Sequence, residues 1–217
     1  MILGFAGKAA SGKTTAAKHL APLLDREALI VPMAMVLRDE VEAFLRNCAA
    51  DDFVPLVYGD QDDKVRIFHV EEAAALRQCP QWLDFIVENG DIQDRPGQTA
   101  LSVRRILQWW GTEYRRAQDP DYWTKAWERK VRHFDLRQTH ILVDDVRFMN
   151  ELVTLKGLGG LIVKIERPGF AAAGNHASET SLDDFSDWDR VIVNDGSLEE
   201  FLVKAETLVD LQAHSPS

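Results

Sequence analysis

Apolar positions along this chain recur in two rhythms, and their alternation outlines the elements. Residues 1–6 form a short apolar strand, and residues 15–24 follow with Ala16, Ala17, Leu20 and Leu23 at helical spacing. A second apolar run, 28–34, predicts a buried strand that Pro32 ends or kinks near an edge, and 36–45 predicts a helix. The pattern then weakens over 49–99. Asp51-Asp52, 60–64 and 90–97 are charged and turn-rich, which leaves helices only around 71–77 and 81–87. This stretch is too long for a simple strand-to-helix connection, so it predicts a mostly helical insertion.

Regular patterning returns at 100–117, where Leu101, Val103, Ile106, Leu107, Trp110 and Tyr114 give a helix one packed face. After the Asp119-Pro120 start signal, Tyr122, Trp123, Ala126, Trp127 and Val131 mark another helix. A strand at 140–143 ends in Asp144-Asp145, a helix spans 148–155, and a strand covers 161–165. Residues 169–187 have no period and predict a loop that serves as a lid. A last strand at 190–193 leads through Asn194-Asp195-Gly196-Ser197 to a closing helix at 198–211, with Ser197 as N-cap. Strands alternating with helices imply an α/β fold. The sheet is mainly parallel, helices cover both faces, and ligands sit at the carboxyl ends of the strands. We read 1–217 as one domain with a helical insertion at about 36–133.

Chemistry enters with Gly7-Lys8-Ala9-Ala10-Ser11-Gly12-Lys13-Thr14, which fits G-x-x-x-x-G-K-[ST] without mismatch between a predicted strand and a predicted helix. Glycines at Gly7 and Gly12 let backbone N–H groups of the loop turn onto an anion, and the following helix adds its positive end. Ala10, Ser11, Gly12 and Thr15 belong to this phosphate cradle. Lys13 is expected to reach the outer phosphates of ATP, and the Thr14 hydroxyl to hold Mg²⁺. Asp145, Arg167 and Asn194 also fall at predicted strand ends, on the same edge of the sheet as the loop.

The formal net charge of −10 opposes attraction to a nucleic-acid backbone, so no nucleic-acid partner is expected. No apolar run approaches the ~18 residues of a membrane span, and residues 1–6 lack a signal peptide's basic start, so a cytoplasmic protein with no membrane partner is expected. Cys48 and Cys79 stand far apart without metal-ligand spacing and read as ordinary thiols. Whether the chain pairs into a homodimer stays open.

Five stretches together resemble the bacteriophage-type deoxynucleoside monophosphate kinases: the phosphate loop, residues 107–113 (LQWWGTE), 144–151 (DDVRFMNE), 165–169 (IERPG) and 193–198 (VNDGSL). His176, Ser178 and Glu179 in the late loop are similar as well. The resemblance implies a P-loop kinase-like sheet and transfer of the ATP γ-phosphoryl group to a deoxynucleoside monophosphate with Mg²⁺. It places Ala9, Arg105, Gly111, Thr112, Trp123 and Asp145 around the acceptor, with Asp145 also on the metal side. Arg38 matches a basic family position, although Met35 stands where an aspartate is common. Asn194 matches the turn bordering the ATP adenine.

Phosphoryl transfer needs two anionic chains held in line, which suits the bidentate arginine. Arg105, Arg115, Arg147 and Arg167 are the candidates. A kinase of dephospho-coenzyme A or of a ribonucleotide, or a P-loop switch or ATPase, would share the phosphate loop and stays an alternative on these residues.

Overall fold

The computed structural model describes residues 1–60, 62–88, 95–169 and 180–214, the last three by backbone alone. In chain order the elements are β1 (Ile2–Ala6), α1 (Lys13–Leu20), β2 (Glu27–Ile30), α2 (Met35–Asn47), α3 (Val54–Tyr58), β3 (Phe68–Glu71), α4 (Glu72–Gln78), α5 (Trp82–Glu88) and β4 (Gln98–Leu101). Then follow α6 (Val103–Trp109), a π-helical turn (Trp110–Arg116), α7 (Tyr122–Val131), β5 (Thr139–Val146), α8 (Met149–Gly157), β6 (Leu161–Glu166), β7 (Arg190–Val193) and α9 (Leu198–Glu206). The chain divides into two compact units, Met1–Met33 with Thr124–Ser217, and Ala34–Trp123.

The first unit is built on a five-stranded sheet of order β2-β5-β1-β6-β7, parallel throughout. All five residues of β1 are buried, as a central parallel strand between two covered faces requires. Leu3 and Phe5 pack with Ala16, Ala17 and Leu20 of α1 and Phe201 and Ala205 of α9. Gly4, between them, points the other way: a Cβ there would lie 2.7 Å from Leu155 of α8. Helices therefore cover both faces, as expected. The strand read at 28–34 ends at Ile30, and Val31 adds one more bond, its N–H donating to Leu142 O at 2.8 Å.

β5 is longer than expected and carries Asp144 and Asp145 inside it rather than beyond its end. The register steps from Gly4 opposite Val143 to Ala6 opposite Val146, so β5 holds one extra residue at the aspartates. Such a bulge re-aims side chains beside a site. At the closing helix, Ser197 is the N-cap: Glu200 N–H donates to its Oγ at 3.2 Å and Ser197 N–H to Glu200 Oε2 at 2.7 Å. The regular helix stops at Glu206, and Val209–His214 continues as a 3₁₀ segment, where one helix to 211 was expected.

The second unit has its own core, in which Phe44, Trp82, Phe85, Trp109 and Trp110 meet at ring-centre distances of 4.4–6.3 Å. Helices form at both stretches read as helical, now Glu72–Gln78 and Trp82–Glu88. Two antiparallel strands, β3 and β4, were not expected. The helix read at 100–117 also resolves into three pieces. β4 runs to Leu101, Ser102 caps α6 by accepting from Arg105 N–H at 3.4 Å, and the last part widens into the π-helical turn. Residues 90–94 and 170–179, the latter including the His176–Glu179 stretch and most of the expected lid, lie outside the described residues.

Candidate functional site

The phosphate loop joins β1 to α1 through three residues in left-handed backbone, Gly7 (φ 139°), Ala10 (φ 56°) and Gly12 (φ 113°). Glycine is required at the first: a Cβ on Gly7 would lie 2.3 Å from the carbonyl oxygen of Ile165 at the end of β6. Three side chains hold the loop by its carbonyls. Lys13 Nζ donates to Gly7 O and Lys8 O, both at 2.7 Å, Arg167 Nη1 to Ala10 O at 3.1 Å, and Asn194 Nδ2 to Ser11 O at 2.9 Å. With its carbonyls turned to these cations and amides, the loop presents a concave backbone at the start of α1.

Ser11 is 2% exposed, and its Oγ is the buried side-chain polar atom left without a hydrogen-bond partner among the described residues. A buried hydroxyl in that state is costly. An oxyanion seated in the loop supplies the acceptor it lacks, so the cradle fits phosphate.

One turn on, Thr14 Oγ1 donates to Asp144 Oδ2 at 2.5 Å, while Asp145 Oδ1 accepts Met33 N–H at 2.6 Å. The two neighbouring carboxylates thus meet different surroundings. Asp144 was not among the sequence candidates. Nothing in the spacing separates it from Asp145; the Thr14 hydroxyl, 130 residues away, does. A hydroxyl and a carboxylate form a hard-oxygen set suited to Mg²⁺. Among the described residues no three of His, Cys, Asp or Glu gather as a metal cage, so such an ion would complete its shell from phosphate and water.

Beyond the loop, Arg147 sits in a turn fixed by Glu151, whose Oε2 accepts Arg147 N–H at 2.8 Å and Phe148 N–H at 3.1 Å. A cleft of about 390 Å³ opens there, lined among others by Gly7, Ala9, Ser11, Arg147 and Arg167. Lys8 forms an ion pair with Asp183 on its rim. The structure therefore gathers these five candidates on one cleft, with Lys13, Thr14 and Asn194 at the same loop, while Asp145 meets Met33 N–H. Thr15, the third residue of α1, is exposed.

The remaining candidates belong to the second unit. Arg38 lies in the first turn of α2, Arg105 in the first turn of α6, and Gly111 and Thr112 on the π-helical turn. Trp123 is 3% exposed and donates its indole N–H to Gly111 O at 2.8 Å, which fixes the carbonyl of that turn. Arg115 is held by Glu40, its Nε donating to Oε2 at 2.9 Å.

A family model described as deoxynucleotide monophosphate kinase matches residues 63–205. The chain is 27% identical over 224 residues to a putative deoxynucleotide monophosphate kinase of Acanthamoeba polyphaga mimivirus, covering 97% of this chain and 96% of that protein. It is 33% identical over 105 residues to the deoxynucleotide monophosphate kinase of Enterobacteria phage T4, across 48% of this chain and 43% of that one. The enzyme of the same name from Escherichia phage RB69 is 30% identical over 110 residues, 50% of this chain and 45% of its own. The matches to the phage enzymes thus span less than half of their length.

Proposed function

The chain belongs to the deoxynucleotide monophosphate kinase family, and from that premise we propose that it moves the γ-phosphoryl group of ATP onto the 5′-phosphate of a deoxynucleoside monophosphate. ADP and the deoxynucleoside diphosphate are the products. The observation that carries the reading is the braced phosphate loop, with Lys13 Nζ held 2.7 Å from two loop carbonyls and with Gly7, Ala9 and Ser11 lining one cleft with Arg147 and Arg167.

The loop's backbone N–H groups and the start of α1 bind the β- and γ-phosphates of the donor. Lys13 exchanges its bonds to Gly7 O and Lys8 O for phosphate oxygens and stabilises charge developing between donor and leaving group. Thr14 and Asp144 would hold Mg²⁺, which would supply positive charge to neutralise the phosphates. Arg147 and Arg167 meet oxygens of the transferring group, where a planar fork binds two oxygens at once. Asn194 keeps the adenine side of the loop in place through Ser11 O. Arg38, Arg105, Gly111, Thr112, Trp123 and Asp145 serve the acceptor. Neither proton abstraction nor a covalent intermediate is required of the protein, since positioning and charge supply the catalysis.

The test is product analysis by thin-layer chromatography with ATP, Mg²⁺ and a panel of acceptors: the deoxynucleoside monophosphates, the ribonucleotides and dephospho-coenzyme A. Labelled deoxynucleoside diphosphate is the expected product. ATP hydrolysis that ignores every acceptor would identify a P-loop ATPase, and phosphorylation of dephospho-coenzyme A alone would reassign the substrate.

A further inference from the structure

Arg115 is fixed along one edge and leaves the other unused. Its Nε donates to Glu40 Oε2 at 2.9 Å, and its guanidinium carbon lies 4.8 Å from the ring centre of Tyr114, 4.9 Å from that of Tyr122 and 5.8 Å from that of Trp110. Among the described residues, Nη1 and Nη2 meet no hydrogen-bond acceptor. Glu40, by contrast, accepts at both of its oxygens. Its Oε2 also accepts Trp110 Nε1–H at 2.9 Å, and its Oε1 accepts the Tyr122 hydroxyl at 2.5 Å. Both side chains are mostly covered, with 24% of Arg115 and 20% of Glu40 exposed.

A guanidinium anchored at Nε and packed among three rings has already lost its rotamer freedom. Its free edge is the two-pronged fork that matches two oxygens of a phosphate monoester, and binding there costs little further ordering. The Glu40 carboxylate orients the group from behind and takes no donor from that edge.

Location adds a second line. Arg115 lies on the π-helical turn that carries Gly111 and Thr112, and irregular turns of this type occur often at functional sites. α2 seats the whole turn. A Cβ on Gly111 would meet Leu37 Cδ2 at 3.1 Å, and Glu40, three residues on, grips Trp110 and Arg115 on either side of it.

We infer that, given the deoxynucleotide acceptor proposed above, Arg115 binds its 5′-phosphate and Glu40 is the positioning residue that aims the fork. The competing role for Arg115 is a cationic staple for the surrounding rings, which would contribute to stability and nothing else.

Steady-state kinetics of the full chain separate the two roles, with KM measured for ATP and for the deoxynucleotide in Arg115→Lys, Arg115→Met and Glu40→Gln. Arg115→Met keeps an apolar stem among the rings and Arg115→Lys keeps the charge; neither can present the fork. Both are expected to raise KM for the deoxynucleotide about 10- to 100-fold while leaving KM for ATP unchanged. Glu40→Gln is expected to raise the same KM by less. On the wild type, phenylglyoxal labelling at Arg115, read by mass spectrometry, should be blocked by saturating deoxynucleotide and not by ATP, a measurement that needs no variant to fold. A lower melting temperature with the deoxynucleotide KM unchanged, or labelling indifferent to the deoxynucleotide, overturns the inference and leaves the kinase reading intact. Failure of the wild type to phosphorylate any deoxynucleotide overturns both.

Discussion

Thr14 Oγ1 stands 2.5 Å from Asp144 Oδ2, a hydroxyl and a carboxylate brought together from positions 130 residues apart. Asp145, next along β5, is turned instead to the backbone N–H of Met33. The sequence had pointed to Asp145 for both the metal and the acceptor. The contacts set the two carboxylates apart, Asp144 meeting the Thr14 hydroxyl and Asp145 a backbone N–H.

Asp144→Asn is therefore expected to lower kcat about 100-fold and to raise the Mg²⁺ concentration needed for half-maximal rate. Asp145→Asn keeps an amide oxygen that can accept Met33 N–H, so it should melt near the wild type and raise KM for the deoxynucleotide. Magnesium titrations of kcat for both variants check this, and identical behaviour of the two would remove the division.

Lys13→Ala should retain its far-UV circular dichroism and lose at least 100-fold in kcat, because Nζ donates to the loop carbonyls of Gly7 and Lys8 and its charge is needed on phosphate. Near-normal turnover in this variant would sink the phosphate-loop assignment.

Gly7→Ala should be the more damaging of two glycine substitutions at positive φ. Its Cβ would meet the backbone oxygen of Ile165 at 2.3 Å, whereas at Gly97 (φ 73°) nothing lies within 4 Å. Gly97→Ala is expected to cost about 1 kcal/mol, from backbone strain alone. Gly7→Ala should exceed about 3 kcal/mol, since strain is joined by displacement of a strand end. Denaturant melts give both values, and equal losses would mean that the loop yields freely at Gly7.

Burial pushes the Cys48 thiol up from 9.0 to about 11 and raises that of Cys79 as well. Both are neutral in the folded protein at pH 8 and should resist iodoacetamide until it unfolds. The stability linked to a raised pKa is complete below pH 9.0 and is lost as pH climbs through about 11, because the unfolded chain releases the proton first. Melting temperature should accordingly fall over that window, with a shallower fall in Cys48→Ala. Rapid labelling of the native protein at pH 8 would contradict the assignment.

What could be read from the chain was whatever local chemistry decides. The phosphate loop needs glycines at set intervals, and the Ser197-x-x-Glu200 box announces a helix start whatever surrounds it. Elements decided by tertiary contact were harder. β3 offers only Phe68 and Val70 on one face of four residues, too short a run to separate from turn-rich surroundings. The π-helical turn has ordinary helical periodicity in Trp110 and Tyr114; its widening goes with the seat on Leu37 and the grip of Glu40, which no spacing rule reveals. Asp144 was passed over because two adjacent aspartates look alike in sequence, while a one-residue bulge and the position of Thr14 distinguish them in space.

The order of the central sheet also sets the order in which competence is acquired during synthesis. β1 is made before both of its hydrogen-bonded neighbours, β5 and β6, whose first residues are Thr139 and Leu161. Loop closure over such separations is slow compared with local pairing. Residues 34–123 are complete before either neighbour emerges and have a core of their own to assemble meanwhile. The phosphate loop gains its braces still later, from Arg167 and finally Asn194. A nascent chain halted before position 194 would carry the entire phosphate-loop motif and still lack one of the contacts that brace it.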